Sequence, residues 1–201
     1  MPERAYLIRH GETDWNAAQR WQGFAPTGLN DAGRQQAQAL ANYLRARPIR
    51  AVYSSDLPRA LETAQILGAA LGVDPQVDRR WREIDVGVFQ GLTVAEVQLR
   101  YPDELAAWRA DTLDYRVPNG ETRRELQERA AAAWTAAVAA SQADEIAIVS
   151  HGGTIRLLLR RLFGPSVFDG RELPNTSITT LARAVGGGWH LEGLAETPHL
   201  E

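Results

Sequence analysis

The sequence predicts an α/β fold: a three-layer sandwich with a mostly parallel central sheet, helices on both faces and an antiparallel edge. Three observations carry that expectation. Strand-like apolar runs alternate with helical patterns along most of the 201 residues. Two of those runs, "RAYLIR" at 4–9 and "EIAIVS" at 145–150, break off at the same His-Gly step. Parallel strands ending at one rim would do this. The last two runs, 176–183 and 189–195, flank "AVGGGWH", which reads as a turn between antiparallel strands.

After the first strand at 4–9, residues 31–46 place Ala37, Leu40, Ala41 and Leu44 on one helical face, with Asn30 or Asp31 as N-cap. A second strand is expected over 50–54, "RAVYS". The helix over 58–71 opens with Pro58 in its first turn and stops at Gly72. Thr93 with Glu96, and Thr122 with Glu125, have the spacing of capping boxes, so a helix begins at each. The second of these runs to about Ser141 with Leu126, Ala130, Ala133, Trp134 and Ala137 inward. The strand at 145–150 and a helix over 153–163, "GTIRLLLRRLF", precede the closing strand pair. No linker or repeat divides the chain, so 1–201 reads as a single domain. Its segment 73–120 is loop-rich and reads as a loop/helix insertion over the sheet edge and the active site.

Composition narrows the chemistry. At 44% hydrophobic and 23% charged, the chain has the balance of a soluble globular protein. No apolar run approaches the roughly 20 residues of a membrane span. The opening "MPERAYLIRHG" lacks a secretory pattern, so a cytoplasmic location and no membrane partner are expected. There is no cysteine, which excludes disulfides, zinc-thiolate sites and cysteine nucleophiles. All 22 basic residues are arginine. Schiff-base chemistry and a lysine-bearing phosphate loop are therefore impossible, and an anion must be held by Arg, His or backbone N–H groups. A net charge of −3 argues against a nucleic-acid partner.

The two His-Gly pairs supply the chemistry. Ligands of open α/β sheets bind beyond the carboxyl ends of the strands, so His10 and His151 are expected on opposite walls of one site. Glycine after each histidine permits a sharp turn and a close ligand. Arg9 precedes His10, and Arg59 breaks a local rule: it stands in the first turn of a helix, where the dipole disfavours a cation. A surface pairing with Asp56 or Glu62 is the alternative for Arg59. Two arginines and two histidines on one rim describe an anion site, most simply for a phosphoryl group. No ligand spacing among the four histidines points to a metal, and no Gly-x-Ser-x-Gly points to a serine hydrolase.

With these residues in view, "LIRHGETDWN" resembles the signature of the histidine phosphatase superfamily, the phosphoglycerate mutase-like proteins. The similarity continues through "TGLNDAGRQQA", "VYSSDLPRALETA", "REIDVGVFQG", "PNGET" and "IVSHGGTIRLLL", in family order over nearly the whole chain. The resemblance implies that His10 is the nucleophile that becomes phosphohistidine, and that Arg9, Arg59 and His151 complete the phosphate pocket. It implies secondary phosphate contacts for Asn16 and Gly152, and a substrate-side loop at Gln22 and Gly23. It makes Glu83 the proton donor to the leaving group. Without it, "RRWREID" reads as a solvated charged face; Asp85 is the next candidate. The implied mechanism needs neutral His10, its second nitrogen donating to a carbonyl such as that of Gly11, and a protonated His151 on the phosphoryl oxygens.

The family divides between phosphatases and mutases. The short stretch between Glu83 and His151, and "SHGGT" where mutases typically carry asparagine after His-Gly, favour water as acceptor. The expected activity is thus a metal-independent phosphomonoesterase acting on small phosphorylated metabolites, with no cofactor. "WRADTLDYR" at 108–116 resembles the mutase substrate loop and supports the alternative, a cofactor-dependent phosphoglycerate mutase. A non-catalytic phospho-ligand-binding domain is the third reading, disfavoured because every catalytic position is filled. Trp15, Trp21, Phe24, Trp81, Trp108 and Tyr115 either line the pocket mouth or form a satellite cluster beneath the insertion. The last strand pair offers an edge for a homodimer.

Overall fold

Side chains alternate across the strands, and that alternation sorts the molecule into layers. The computed structural model describes residues 1–110 and 112–201; Asp111, inside the mutase-like segment 108–116, lies outside the described residues. Six strands form one sheet in the order β3-β2-β4-β1-β5-β6. They are β1 (Arg4–Arg9), β2 (Ile49–Ser54), β3 (Gln76–Val77), β4 (Glu145–Ser150), β5 (Ile178–Arg183) and β6 (Trp189–Glu196). The first four run parallel, while β5 is antiparallel to both β1 and β6. This is the mostly parallel sheet with an antiparallel edge that the sequence predicts.

Along β1, Ala5 and Leu7 face one core while Tyr6 and Ile8 face the other, the period of two that a strand imposes. Along β4, Ile146 and Ile148 alternate in the same way with Ala147 and Val149. All six residues of β4 are buried, as a central strand covered on both faces must be. One face is covered by α2 (Asp31–Leu44) and α3 (Pro58–Leu71). The other is covered by α6 (Arg123–Ala140) and α7 (Gly152–Phe163). The caps are those the sequence indicates: Asn30 accepts from Gly33 N–H, and Thr122 and Glu125 form a reciprocal capping box. Gly72, at φ 70°, closes α3 in the left-handed conformation that glycine tolerates.

The differences are local. The helix expected to 46 ends at Leu44, and the last helix begins one residue earlier, at Gly152. The strand expected from 176 starts at Ile178. Thr176 instead takes φ 56° and donates its N–H to the His10 carbonyl, so these residues belong to the rim. The two-residue β3 and the one-turn α1 (Asp14–Ala17) are too short to show in a hydrophobic pattern.

The segment 73–120 carries more order than its loop-like composition suggests. Besides α4 (Val94–Arg100), capped by Thr93 and Glu96, it holds α5 (Pro102–Arg109), with Pro102 in its first turn. Ile84, Val86, Phe89, Val97, Leu105 and Val117 from this segment form a third apolar cluster with Leu126 and Leu157. No helix among the described residues is long and apolar enough to cross a membrane.

Candidate active site

The β1–β4 register explains why the same dipeptide ends both strands. Arg9 pairs with Ser150, so His10 and His151 leave the sheet side by side at its carboxyl rim. Their rings lie 5.1 Å apart, tilted by 58°. The neighbouring β2 ends at the same rim, with Ser54 opposite Val149, and leads into α3, whose second residue is Arg59. Arg9, His10, Arg59, Glu83, Asn16, Gln22, Gly23 and Gly153 line one cavity of about 260 Å³. A larger cleft bounded by Pro48, Arg50 and Asp144 lies at the amino ends of the strands and contains no histidine.

His10 is almost completely buried, and its Nδ1 lies 2.7 Å from the Gly11 carbonyl. A carbonyl only accepts, so Nδ1 carries the proton and Nε2 keeps a lone pair. Arg59 Nε–H donates to that Nε2 at 3.2 Å. Burial, then Arg59 and then Arg9, hold the His10 imidazole well below its ordinary pKa, so the ring is neutral.

His151 is fully buried, and neither ring nitrogen has a hydrogen-bond partner among the described residues. A buried polar group without a partner is costly, which suits one that is completed by a ligand. Burial and the charge of Arg59, followed by His10, Arg129 and Arg9, hold His151 well below the ordinary range, so in the empty pocket it is neutral. The protonated form requires an anion to offset the arginines.

The cation that breaks the helix rule is buried, and it pairs with neither Asp56 nor Glu62. Asp56 binds Arg82 and Arg79, and Glu62 binds Arg34. Arg59 donates instead to the carbonyls of Gly23 (2.9 Å) and Ala25 (3.0 Å) and to Thr27 Oγ1 (3.3 Å), thereby holding the loop at 22–27. Burial, then Arg9, pull its guanidinium down to about 10, still cationic near neutral pH. Arg9 Nη1 donates to the Leu173 carbonyl, while its buried Nε has no partner among the described residues.

Gln22 turns its Oε1 toward Thr13 and Thr27, and Gly23 takes φ 50° with no room for a Cβ beside Val86. Asn16 Oδ1 accepts from Thr13 and from Asn175 Nδ2. Asn175 also donates to the His10 carbonyl at 3.0 Å. Nothing in "LPNTS" marks Asn175 in the sequence, because its partners are more than 150 residues away.

The glycines that follow the histidines differ in their surroundings. A Cβ at Gly11 would stand 2.6 Å from the Gly33 carbonyl, so α2 rather than a ligand excludes a side chain there. Gly152 has room for one; its nearest neighbour would be Arg9 Nε at 3.6 Å. Gly153, missed in the sequence, is the position where a Cβ would collide with Glu83 Oε1.

Glu83 is in the cavity. Its Oε1 accepts from Ile84 N–H at 2.8 Å and its Oε2 from Gly153 N–H at 3.1 Å. Asp85, the other candidate, accepts from Gly87 N–H and does not line the cavity. The two readings of the aromatics do not exclude each other. Trp21 and Trp108 line the cavity, 5.5 Å apart edge to face, and are part of the third apolar cluster with Tyr115. Phe24 lies under the Arg82 guanidinium, and Trp15 packs near Gly91. Trp81 is buried in the main core.

Comparison with known proteins places this geometry. Phosphoglycerate mutase-like protein 4 of Arabidopsis thaliana is 38% identical over 198 residues, covering 97% of this chain and 86% of that protein. The mycobacterial glucosyl-3-phosphoglycerate phosphatase, solved in complex with VO3, superposes with a TM-score of 0.85 at 32% identity, covering 96% and 98% of the two chains. The alpha-ribazole phosphatase of Shigella flexneri superposes with a TM-score of 0.85 at 25% identity, covering 96% of each. The sequence pattern of the histidine phosphatase superfamily (branch 1) matches residues 5–197, which takes in every residue of the rim. A neutral buried histidine between two arginines, facing a second histidine that lacks a partner, is thus the rim of a chain that belongs to the histidine phosphatase superfamily.

Proposed function

We propose that this protein is a phosphomonoesterase that works through a phosphohistidine on His10, without a metal, on small phosphorylated metabolites. The observation that carries the reading is the state of His10: neutral, oriented by Gly11, with its Nε2 lone pair aimed into a pocket of arginines. In the first step the Nε2 lone pair forms the N–P bond and the ester P–O bond breaks. The departing oxygen takes its electron pair and a proton from Glu83, leaving as the alcohol. In the second step water gives its proton to the Glu83 carboxylate and its oxygen to phosphorus, the N–P bond breaks, and inorganic phosphate leaves.

Arg59 Nε–H, which donates to the His10 lone pair, moves to a phosphoryl oxygen when substrate enters. Arg9 Nε and the unpartnered nitrogens of His151 supply further donors, His151 gaining its proton as the anion arrives. The chain acts as a single domain in which Ile84, Val86 and Trp108 of segment 73–120 cover the alcohol half of the substrate.

A panel of phosphate esters assayed after exhaustive chelation tests this reading. Among the described residues no three His, Cys, Asp or Glu side chains are grouped to hold a metal ion. Phosphate release should therefore survive chelation, and vanadate should inhibit by imitating five-coordinate phosphorus. A strict requirement for added magnesium or zinc overturns the proposal. The same panel tests the second reading, a mutase, which the name of the Arabidopsis relative favours. Phosphoglycerate isomerisation that outruns phosphate release, with the bisphosphorylated primer present, would establish it.

Gly153 offers a steric test. In Gly153→Ala the new methyl group displaces the Glu83 carboxyl, and a misplacement of about 1 Å can cost roughly 10²-fold in rate. Turnover of alkyl esters should fall by about that factor while vanadate binding, which uses the arginines and histidines, stays close to wild type. Unchanged turnover would show that the position of this carboxyl does not matter.

A further inference from the structure

Residues 82–86 form no helix or strand, although Glu83 stands among them. Backbone carbonyls in such a segment need partners from elsewhere. Four consecutive carbonyls leading into and through its start, those of residues 80 to 83, are satisfied by side chains. Arg129, from α6, donates through Nη1 to the carbonyls of Arg80 (2.9 Å) and Arg82 (2.6 Å) and through Nη2 to that of Glu83 (2.6 Å). Ser150 Oγ, beside His151, donates to the Trp81 carbonyl at 2.7 Å, and Thr154 Oγ1 donates to that of Arg82 at 2.7 Å. Arg129 is itself held by both carboxylate oxygens of Glu121. Glu121 Oε1 also accepts the Asp85 N–H at 3.0 Å, and its own N–H donates to the Asp85 carbonyl. Both side chains are more than four-fifths buried.

We infer that Arg129, braced by Glu121, is the positioning residue for the Glu83 carboxyl: it clamps the 80–85 segment so that this loop carries an acid with the precision of a regular element. A guanidinium suits the task because its planar fork reaches three carbonyls and a bidentate carboxylate at once. A lysine ammonium in its place keeps the charge but cannot span those partners. The inference rests on Glu83 acting as the proton donor proposed above.

The test therefore uses two ester types and Glu83→Gln as reference. The measurement is the single-turnover rate of phosphoryl transfer from an alkyl phosphate and from nitrophenyl phosphate, whose leaving group needs no proton. Arg129→Lys should slow transfer from the alkyl ester by about 10–100-fold, part of what general acid catalysis supplies. Transfer from the nitrophenyl ester should fall far less, and vanadate affinity should be retained. In the Glu83→Gln background, Arg129→Lys should add little further loss on the alkyl ester, since the group it places no longer carries a proton.

Equal slowing of both esters by Arg129→Lys, with Glu83→Gln still selective for the alkyl ester, overturns the positioning role and leaves the acid assignment standing. A non-selective Glu83→Gln overturns the acid assignment and the inference with it. The positive charge near His151 is kept by lysine, so a purely electrostatic role appears instead as wild-type behaviour of Arg129→Lys and loss only in Arg129→Gln, which also overturns the inference. If Arg129→Lys does not fold, Glu121→Gln, which loosens the brace from its other end, should show the same ester-selective loss; equal slowing of both esters overturns the inference there too.

Discussion

Replacement of His10 by alanine should abolish turnover and remove the acid-labile phosphate that rapid quench traps on the wild-type chain. Loss of a covalent nucleophile is worth several orders of magnitude, on the order of 10⁴-fold or more, because the remaining groups can only polarise the ester. The structure favours His10 over His151 for a definite reason. A nucleophilic imidazole needs one nitrogen protonated and anchored so that the other presents its lone pair in a fixed direction. His10 has that anchor at the Gly11 carbonyl, and Arg59 already points at the opposite nitrogen. Neither nitrogen of His151 is anchored among the described residues, so no contact fixes its tautomer. Peptide mapping should place the label on His10. Label on His151 in the wild-type chain would exchange the two roles.

Glu83→Gln should slow dephosphorylation of alkyl esters by about 10²–10⁴-fold, the usual span of general acid catalysis. Glutamine keeps the length but has one acceptor oxygen for the two N–H groups, of Ile84 and Gly153, that the carboxylate accepts from, so the contrast between ester types is what isolates the proton. Alkoxides leave badly without a proton, whereas nitrophenolate leaves readily, so transfer from the nitrophenyl ester should suffer much less. The same carboxylate activates water in the second step. With the good leaving group the variant should therefore release a burst of nitrophenol and then turn over slowly. Equal loss of phosphoryl-transfer rate on both esters would reduce Glu83 to a group that orients the arginines, and the acid would have to be another group. Asp85, the sequence's second candidate, is turned away to Gly87.

How much of this was legible before folding differs from residue to residue. His10 and His151 could be read because each ends a strand, and two strand ends with the same step imply a shared rim. Arg59 could be read because it violates helix electrostatics, and such a violation is visible in one turn of sequence. Glu83 could not be read from local pattern: a carboxylate in "RRWREID" looks like any solvated charge, and only the family resemblance singled it out. Asn175, Gly153 and Arg129 left no local trace, since their partners are distant in sequence. Trp81 fits neither the pocket-mouth nor the satellite-cluster reading, because burial is decided by what packs against it in the main core.

The layers, the parallel strands and the kinds of groups available to an anion, arginine, histidine and backbone N–H with no lysine or cysteine, are already written in the sequence. Those follow from periodicity, caps and composition, which are local and survive in any one window of the chain. Which charges those groups carry, and which glycine lies against the acid, depends on the assembled fold. Burial beside two arginines holds both imidazoles well below their ordinary pKa. The glycine after His151 that meets the acid is Gly153, whose N–H binds a carboxylate 70 residues earlier. Protonation and steric room are properties of the space around a group, and that space exists only once distant segments have met.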